Sequence, residues 1–200
     1  MKILFLDFDG PIIPGRSFFH SSAPSIMAMD KYTVGLLTKL CILTATKIVV
    51  SSQKRISPPR FMKFCNDHDF PVALLHDDWR VPILPSGNRS EEIHQWLNCH
   101  PEVTTYVALD DEVLDNDIIN VRVHFTWGLT IENLCCLYYA LGDVETSDAI
   151  QNICLDKVKH LEKYPDPLYG NFVTAGYEHI QTWKKMYQDQ MERLKCLKSS

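Results

Sequence analysis

The feature that most constrains this chain is a short apolar run that stops on a pair of acids. Residues 2–11 read KILFLDFDGP. Ile3, Leu4, Phe5 and Leu6 are apolar without alternation, the pattern of a central strand buried on both faces. The run breaks at Asp7-Phe8-Asp9-Gly10. Carboxylates two residues apart on an extended segment point to the same side, and Gly10 lets the backbone turn sharply. In open α/β sheets, ligands bind outside the carboxyl ends of the strands. Folding alone does not ask for two acids there, because close like charges repel unless a cation or a shared proton lies between them.

The rest of the chain repeats this theme of strands that end in polar residues. Asp30 reads as an N-cap for a helix over Lys31–Ala45, with Tyr32, Leu36, Leu37, Leu40 and Leu43 at helical spacing. Lys47–Val50 is β-branched and reads as a second strand, ending in Ser51-Ser52-Gln53-Lys54-Arg55. Hydroxyls and free amides at such a strand end form an oxyanion cradle, although serines there also serve as simple caps. A helix over Arg60–His68 and a third strand over Pro71–Leu75 follow. Asp77–Gly87, with two prolines and a closing Gly, reads as loop. Asn88–Asn98 (NRSEEIHQWLN) reads as a helix with Arg89 in its first turn, where a cation opposes the helix dipole and suits contact with an anion. Thr104–Leu109 predicts a fourth strand, running straight into Asp110-Asp111-Glu112. Asn120–Phe125 reads as a fifth strand and Gly128–Leu141 as a helix. The order is β-α-β-α-β-α-β-β-α, the signature of a mainly parallel sheet flanked by helices. Pro11–Asp30 lacks a period and reads as a loop beside the acid pair.

Composition narrows the function classes. Two hundred residues at 46 % apolar and 22 % charged suit one α/β domain with an appendage. A net charge of −5 argues against broad, sequence-independent nucleic-acid binding. The seven cysteines (41, 65, 99, 135, 136, 154 and 196) form no CxxC and read as reduced thiols of a cytoplasmic chain. Only four apolar residues separate Lys2 from Asp7, which does not fit a secretory leader, and no apolar run approaches the ~20 residues of a membrane span. From Gly142 the character changes. Ser147–Tyr164 and Ala175–Leu197 read as amphipathic helices, giving a core over 1–142 and a helical extension over 143–200. In the last helix the basic residues Lys184, Lys185, Arg193, Lys195 and Lys198 outnumber the three acids. Packing on the core is its simplest role, and a membrane surface or a partner protein is the alternative. It ends with little cap, which leaves room for a longer natural chain.

Four motifs, each at a strand end or helix start, resemble the haloacid dehalogenase (HAD) superfamily: DFDG, a strand ending in Ser51, a later basic residue, and a strand ending in Asp110-Asp111. VVSSQKR, NRSEEIHQWL, VALDDE and WGLTIENL are more narrowly similar to small HAD domains found alone or in nucleic-acid repair proteins. The resemblance covers residues 2–141. It implies a Rossmann-like fold and a Mg²⁺-dependent phosphatase working through an aspartyl-phosphate. Asp7 would be nucleophile and metal ligand. Asp9 would be general acid and base, with its backbone carbonyl on the metal. Asp110, supported by Asp111, would hold Mg²⁺. Ser51, with Ser52, would bind the phosphoryl group, and Arg89 would bind the same oxygens, with Lys54, Arg55 and Arg80 as competing cations. Pro11 departs from the family, which has Val or Thr there.

Roughly 37 residues separate Gly10 from the second strand, too few for a cap domain beside one loop and one helix. An open site favours a bulky, macromolecular phosphoester. The acidic chain favours a phosphoprotein. Phe18, Phe19, Trp79 and Trp127 are candidates to stack a phosphotyrosine ring. Nucleic-acid end processing is the second reading, a small-metabolite phosphatase the third, and a catalytically idle binding module acting through the C-terminal helices the rival from another class.

Overall fold

The opening apolar run forms β1 (Lys2–Leu6), the central strand of a five-stranded sheet in the computed structural model. The structure describes residues 1–15, 17, 28–163, 189 and 192. In chain order follow α1 (Lys31–Thr44), β2 (Thr46–Val50), a 3₁₀ turn (Gln53–Ile56), α2 (Pro58–Asp67), β3 (Leu75–Arg80), α3 (Arg89–Asn98), β4 (Thr105–Asp110), β5 (Asn120–Arg122), α4 (Ile131–Ala140) and α5 (Val144–Lys163). The sheet order is β3-β2-β1-β4-β5 and every pairing is parallel. This is the α/β arrangement the strand and helix pattern predicts, and the Rossmann-like fold the resemblance implies.

Burial on both faces of β1 follows from its lack of alternation. Leu4 and Leu6 enter one core with α1 and α4 residues such as Leu37, Leu40 and Leu137. Ile3 and Phe5 enter a second core with Ile93 and Trp96 of α3. Each fully buried Leu, Ile or Phe side chain contributes about 1.5–3 kcal/mol of hydrophobic stabilisation, so the acids sit at the end of the best-anchored strand. The caps expected from sequence are in place: the Asp30 carboxylate accepts from Tyr32 and Thr33 N–H. Lys2 Nζ donates to the Leu141 carbonyl at the end of α4 (2.7 Å), which suits the negative pole of that helix.

The third strand departs from expectation. Residues 72–74 form a 3₁₀ turn, and the strand lies over Leu75–Arg80, of which Asp77–Arg80 read as loop in sequence. LHDDWR carries no apolar alternation because β3 is an edge strand, paired only with β2 through a shifted register, and its residues are largely solvated. Trp79 therefore stands in a strand rather than a loop. Its ring stacks on Phe61 (centroids 4.7 Å, 14°), so it packs α2 against the edge strand. Phe18, Phe19 and the helix expected over Ala175–Leu197 lie outside the described residues. Ser147 of α5 is buried and donates to the Cys135 carbonyl (3.0 Å), which fastens the first turns of α5 to α4. Among the described residues, no helix is long and apolar enough to cross a membrane. Cys41 and Cys65 are buried free thiols, pushed up to about 12 by burial.

Candidate active site

Parallel register assembles the site. Leu6 is paired with Val50 on one side and with Leu109 on the other. The residues that follow, Asp7, Ser51 and Asp110, therefore emerge side by side at the carboxyl edge of the sheet. Backbone bonds hold them there: Asp7 N–H donates to the Leu109 carbonyl and Ser51 N–H to the Leu6 carbonyl, each at 3.0 Å. All three residues are almost fully buried.

Arg89 arrives from α3. Asn88 caps that helix by accepting from the Ser90 and Glu91 N–H groups. Buried Ser90 accepts from Asp115 N–H (3.0 Å), which ties the helix start to the loop after β4. One guanidinium nitrogen then reaches both buried acids, at 2.5 Å from Asp110 and 3.4 Å from Asp7. The unfavourable dipole position of Arg89 is thus offset by two carboxylates. Its pKa is raised: burial acts against the charge, and Asp110 and Asp7 more than restore it.

The competing cations separate cleanly. Lys54 pairs with Asp9 at 3.0 Å. Arg80 lies over the Trp79 ring, 5.8 Å from its centroid. Arg55 is buried against Glu92 and also donates to the Ser51 carbonyl (2.5 Å) and the Val81 carbonyl (3.1 Å). Ser51 and Ser52 stand in different surroundings. Ser51 neighbours Asp7 across the sheet, whereas Ser52 Oγ accepts from Lys54 N–H (3.4 Å) and caps the 3₁₀ turn.

Ligand oxygens of Asp7, Asp110 and Asp111 all lie within 4.8 Å of one another. An oxygen-only, carboxylate-rich set suits a hard divalent cation such as Mg²⁺. The Asp9 carboxylate does not join this group; it turns to Lys54. Burial and the neighbouring Asp110 carboxylate push Asp7 up to about 7, against the pull of Arg89. Burial likewise raises Asp110 and Asp111. Three acids raised together describe a site short of positive charge, which a divalent cation would supply.

Gly10 sets the last of the three acids. Its φ of +94° disfavours any side chain, and an added Cβ would stand 2.9 Å from Cβ, Cγ and Oδ1 of Asp111. Gly10→Ala should cost about 1–3 kcal/mol of stability through backbone strain. It should also displace Asp111 and weaken Mg²⁺ binding at least tenfold or so, as lost support around metal ligands does. Titration calorimetry checks the second effect, and unchanged affinity would remove Asp111 from the site.

Sequence reasoning missed the Arg55–Glu92 strut and the packing of Asp111 on Gly10. An acid in the first turn of a helix is the ordinary complement of its dipole and gave no signal, and the partners are far apart in the chain. Residues 3–134 match the family described as the HAD domain in Swiss Army Knife RNA repair proteins. No curated protein and no solved structure matches the chain.

Proposed function

This chain belongs to the family of HAD domains in Swiss Army Knife RNA repair proteins, and we propose that it is a Mg²⁺-dependent phosphomonoesterase acting on a phosphorylated polynucleotide end. The observation that carries the phosphatase reading is the pair of buried carboxylates, Asp7 and Asp110, joined by Arg89 with Asp111 alongside.

Asp7, Asp110 and Asp111 would hold the cation, with the Asp9 carbonyl as a further donor. Bound there, Mg²⁺ would neutralise the phosphoryl oxygens so that an anionic nucleophile can approach. An Asp7 oxygen attacks phosphorus as the P–O bond to the leaving group breaks, giving an aspartyl-phosphate and an alkoxide that takes its proton from Asp9. Asp9, now a carboxylate, accepts a proton from water as that water attacks phosphorus. Inorganic phosphate leaves and Asp7 is restored. Arg89 and Ser51 bind the transferring oxygens. Lys54 is paired with Asp9 before substrate arrives, and a phosphoryl dianion competes for the same ammonium.

Among the described residues, no inserted domain covers the acids, so the substrate's own bulk must help to exclude water. Three features support a polynucleotide. The family's description is of RNA repair proteins. Lys54 and Arg89 stand at the acids, and Arg122 donates to the Asp111 carbonyl (3.0 Å). Trp127, 55 % exposed, precedes Gly128. A Cβ at Gly128 would lie 3.1 Å from the Gly10 carbonyl, so the backbone that carries Trp127 runs beside the turn after the acids, and an exposed aromatic there suits base stacking. The phosphotyrosine reading loses Trp79, which is stacked on Phe61. The net charge of −5 still favours a phosphoprotein, and that is the second reading.

With Mg²⁺ present, 5′- and 3′-phosphorylated oligoribonucleotides should give kcat/KM values at least about tenfold above those of phosphotyrosine and phosphoserine peptides; that margin is about 1.4 kcal/mol of transition-state discrimination. A peptide preference would favour the phosphoprotein reading. Absence of phosphate release from every substrate would favour the binding module.

A further inference from the structure

Two histidine–acid pairs meet at the end of the sheet remote from the acids. His76 and Asp78 lie two residues apart on β3, and His100 and Glu102 lie in the connection from α3 to β4. Glu102 adjoins the amino-terminal ends of the strands, where the α-amino group of Met1 donates to its carbonyl (2.8 Å). Donor atoms of His76, His100 and Glu102 all lie within 4.8 Å of one another.

The rings are held by packing rather than by chance exposure. His100 stacks on Trp96 (3.7 Å, 11°), and His76 meets both rings edge-on, 5.2 Å from Trp96 and 5.3 Å from His100. Trp96 is 2 % exposed and donates its indole N–H to the Asp78 carbonyl (3.0 Å). His100 Nδ1 lies 2.7 Å from the Trp96 carbonyl. It must donate there, which leaves the Nε2 lone pair for a ligand. His76 Nδ1 faces both the N–H (3.1 Å) and the carbonyl (3.3 Å) of Asp78. Binding through Nε2 requires the tautomer in which Nδ1 donates to the carbonyl, in place of the one in which Nδ1 accepts from the N–H. A backbone carbonyl behind a histidine is the usual support of a metal-bound imidazole. The Asp78 carboxylate stands 3.6 Å from His100 Nε2.

The geometry points to a second divalent-metal site, of zinc type, formed by His76, His100 and Glu102. Imidazole nitrogens mixed with carboxylate oxygens select a borderline ion over Mg²⁺. Donors of a tetrahedral zinc ion sit roughly 3.4 Å apart, so donors that lie within 4.8 Å of one another must draw closer as the ion binds. A cleft of about 400 Å³, lined in part by Arg80, Cys99, Asp78 and His100, gives an ion a route in. The bound ion fastens edge strand β3 to the far end of the helix whose start carries Arg89.

The test is titration of the full chain with Zn²⁺ and with Co²⁺ in excess Mg²⁺. One equivalent of Zn²⁺ should bind and raise Tm, in wild type and in Asp7→Asn alike. His76→Gln and His100→Gln should each weaken binding at least about 100-fold, and exposed Glu102→Gln, which leaves the ring stack untouched, at least about tenfold. Catalysis should be preserved in Glu102→Gln. Absence of Zn²⁺ binding would overturn the site, as would affinity unchanged by the three substitutions or lost in Asp7→Asn. A thiolate-to-cobalt charge-transfer band would overturn the ligand set in favour of Cys99.

Discussion

Asp7→Asn is expected to lower turnover of p-nitrophenyl phosphate with Mg²⁺ by at least about 10⁴-fold, the scale on which loss of a covalent nucleophile is felt. Asparagine keeps the shape but cannot form the aspartyl-phosphate. The same change should stabilise the metal-free protein. Burial and Asp110 hold the Asp7 carboxyl up to about 7, against an ordinary value of 3.8. The folded state therefore binds the Asp7 proton more tightly than the unfolded state, and ionised Asp7 destabilises the fold. Above pH 7 without metal, the variant should melt higher than wild type. The gap should close as pH falls from 7 to below 3.8, where wild-type Asp7 is protonated in both states. A site that gains stability on losing its function is one arranged for a ligand rather than for folding. Turnover retained in Asp7→Asn would end the aspartyl-phosphate reading, and equal melting at pH 8 would mean that Asp7 carries no electrostatic strain.

Glu92→Ala should have the largest effect on stability. Both Arg55 and Glu92 are almost fully buried, and burial already lowers the arginine against the support of its partner. Removing one member of a buried ion pair strands the other charge, at a cost of about 3–5 kcal/mol. For a chain of this size that corresponds to a fall of roughly 10 °C in Tm. Glu92 also accepts from Leu84 N–H (3.1 Å), so a second group loses its partner. The pair has a catalytic consequence. Arg55 grips the Ser51 carbonyl, and Glu92 lies one turn along α3 from Arg89. The strut thereby sets the phosphate-binding strand end against the helix that bridges the acids. Arg55→Met with Glu92→Met should recover much of the lost stability, because apolar side chains can replace a buried ion pair. It should not recover turnover, since nothing then holds the Ser51 carbonyl. Urea denaturation and phosphate release separate the two effects. Full recovery of both would show that the strut positions nothing.

The central strand, its terminal acids, the second acid pair after β4 and the cation at the start of α3 were all legible in the chain. Each is a local pattern: an unbroken apolar run, a helical period, a cap. β3 was misplaced because edge strands are excused from burial, so LHDDWR carries no pattern to read. Trp79 went with it, and only packing shows its ring committed to Phe61. Four basic residues competed for one role, and composition could not rank them. Their separation into a bridge, a partner for Asp9, a buried strut and a cation over an indole depends on side-chain positions set by distant segments. The same holds for Gly10 under Asp111 and for the histidines around Trp96. Strand pairing sets residues side by side that the chain keeps up to a hundred positions apart. Local propensity governs which segments become strands and helices; the parallel register and the packing of α3 govern which charges meet.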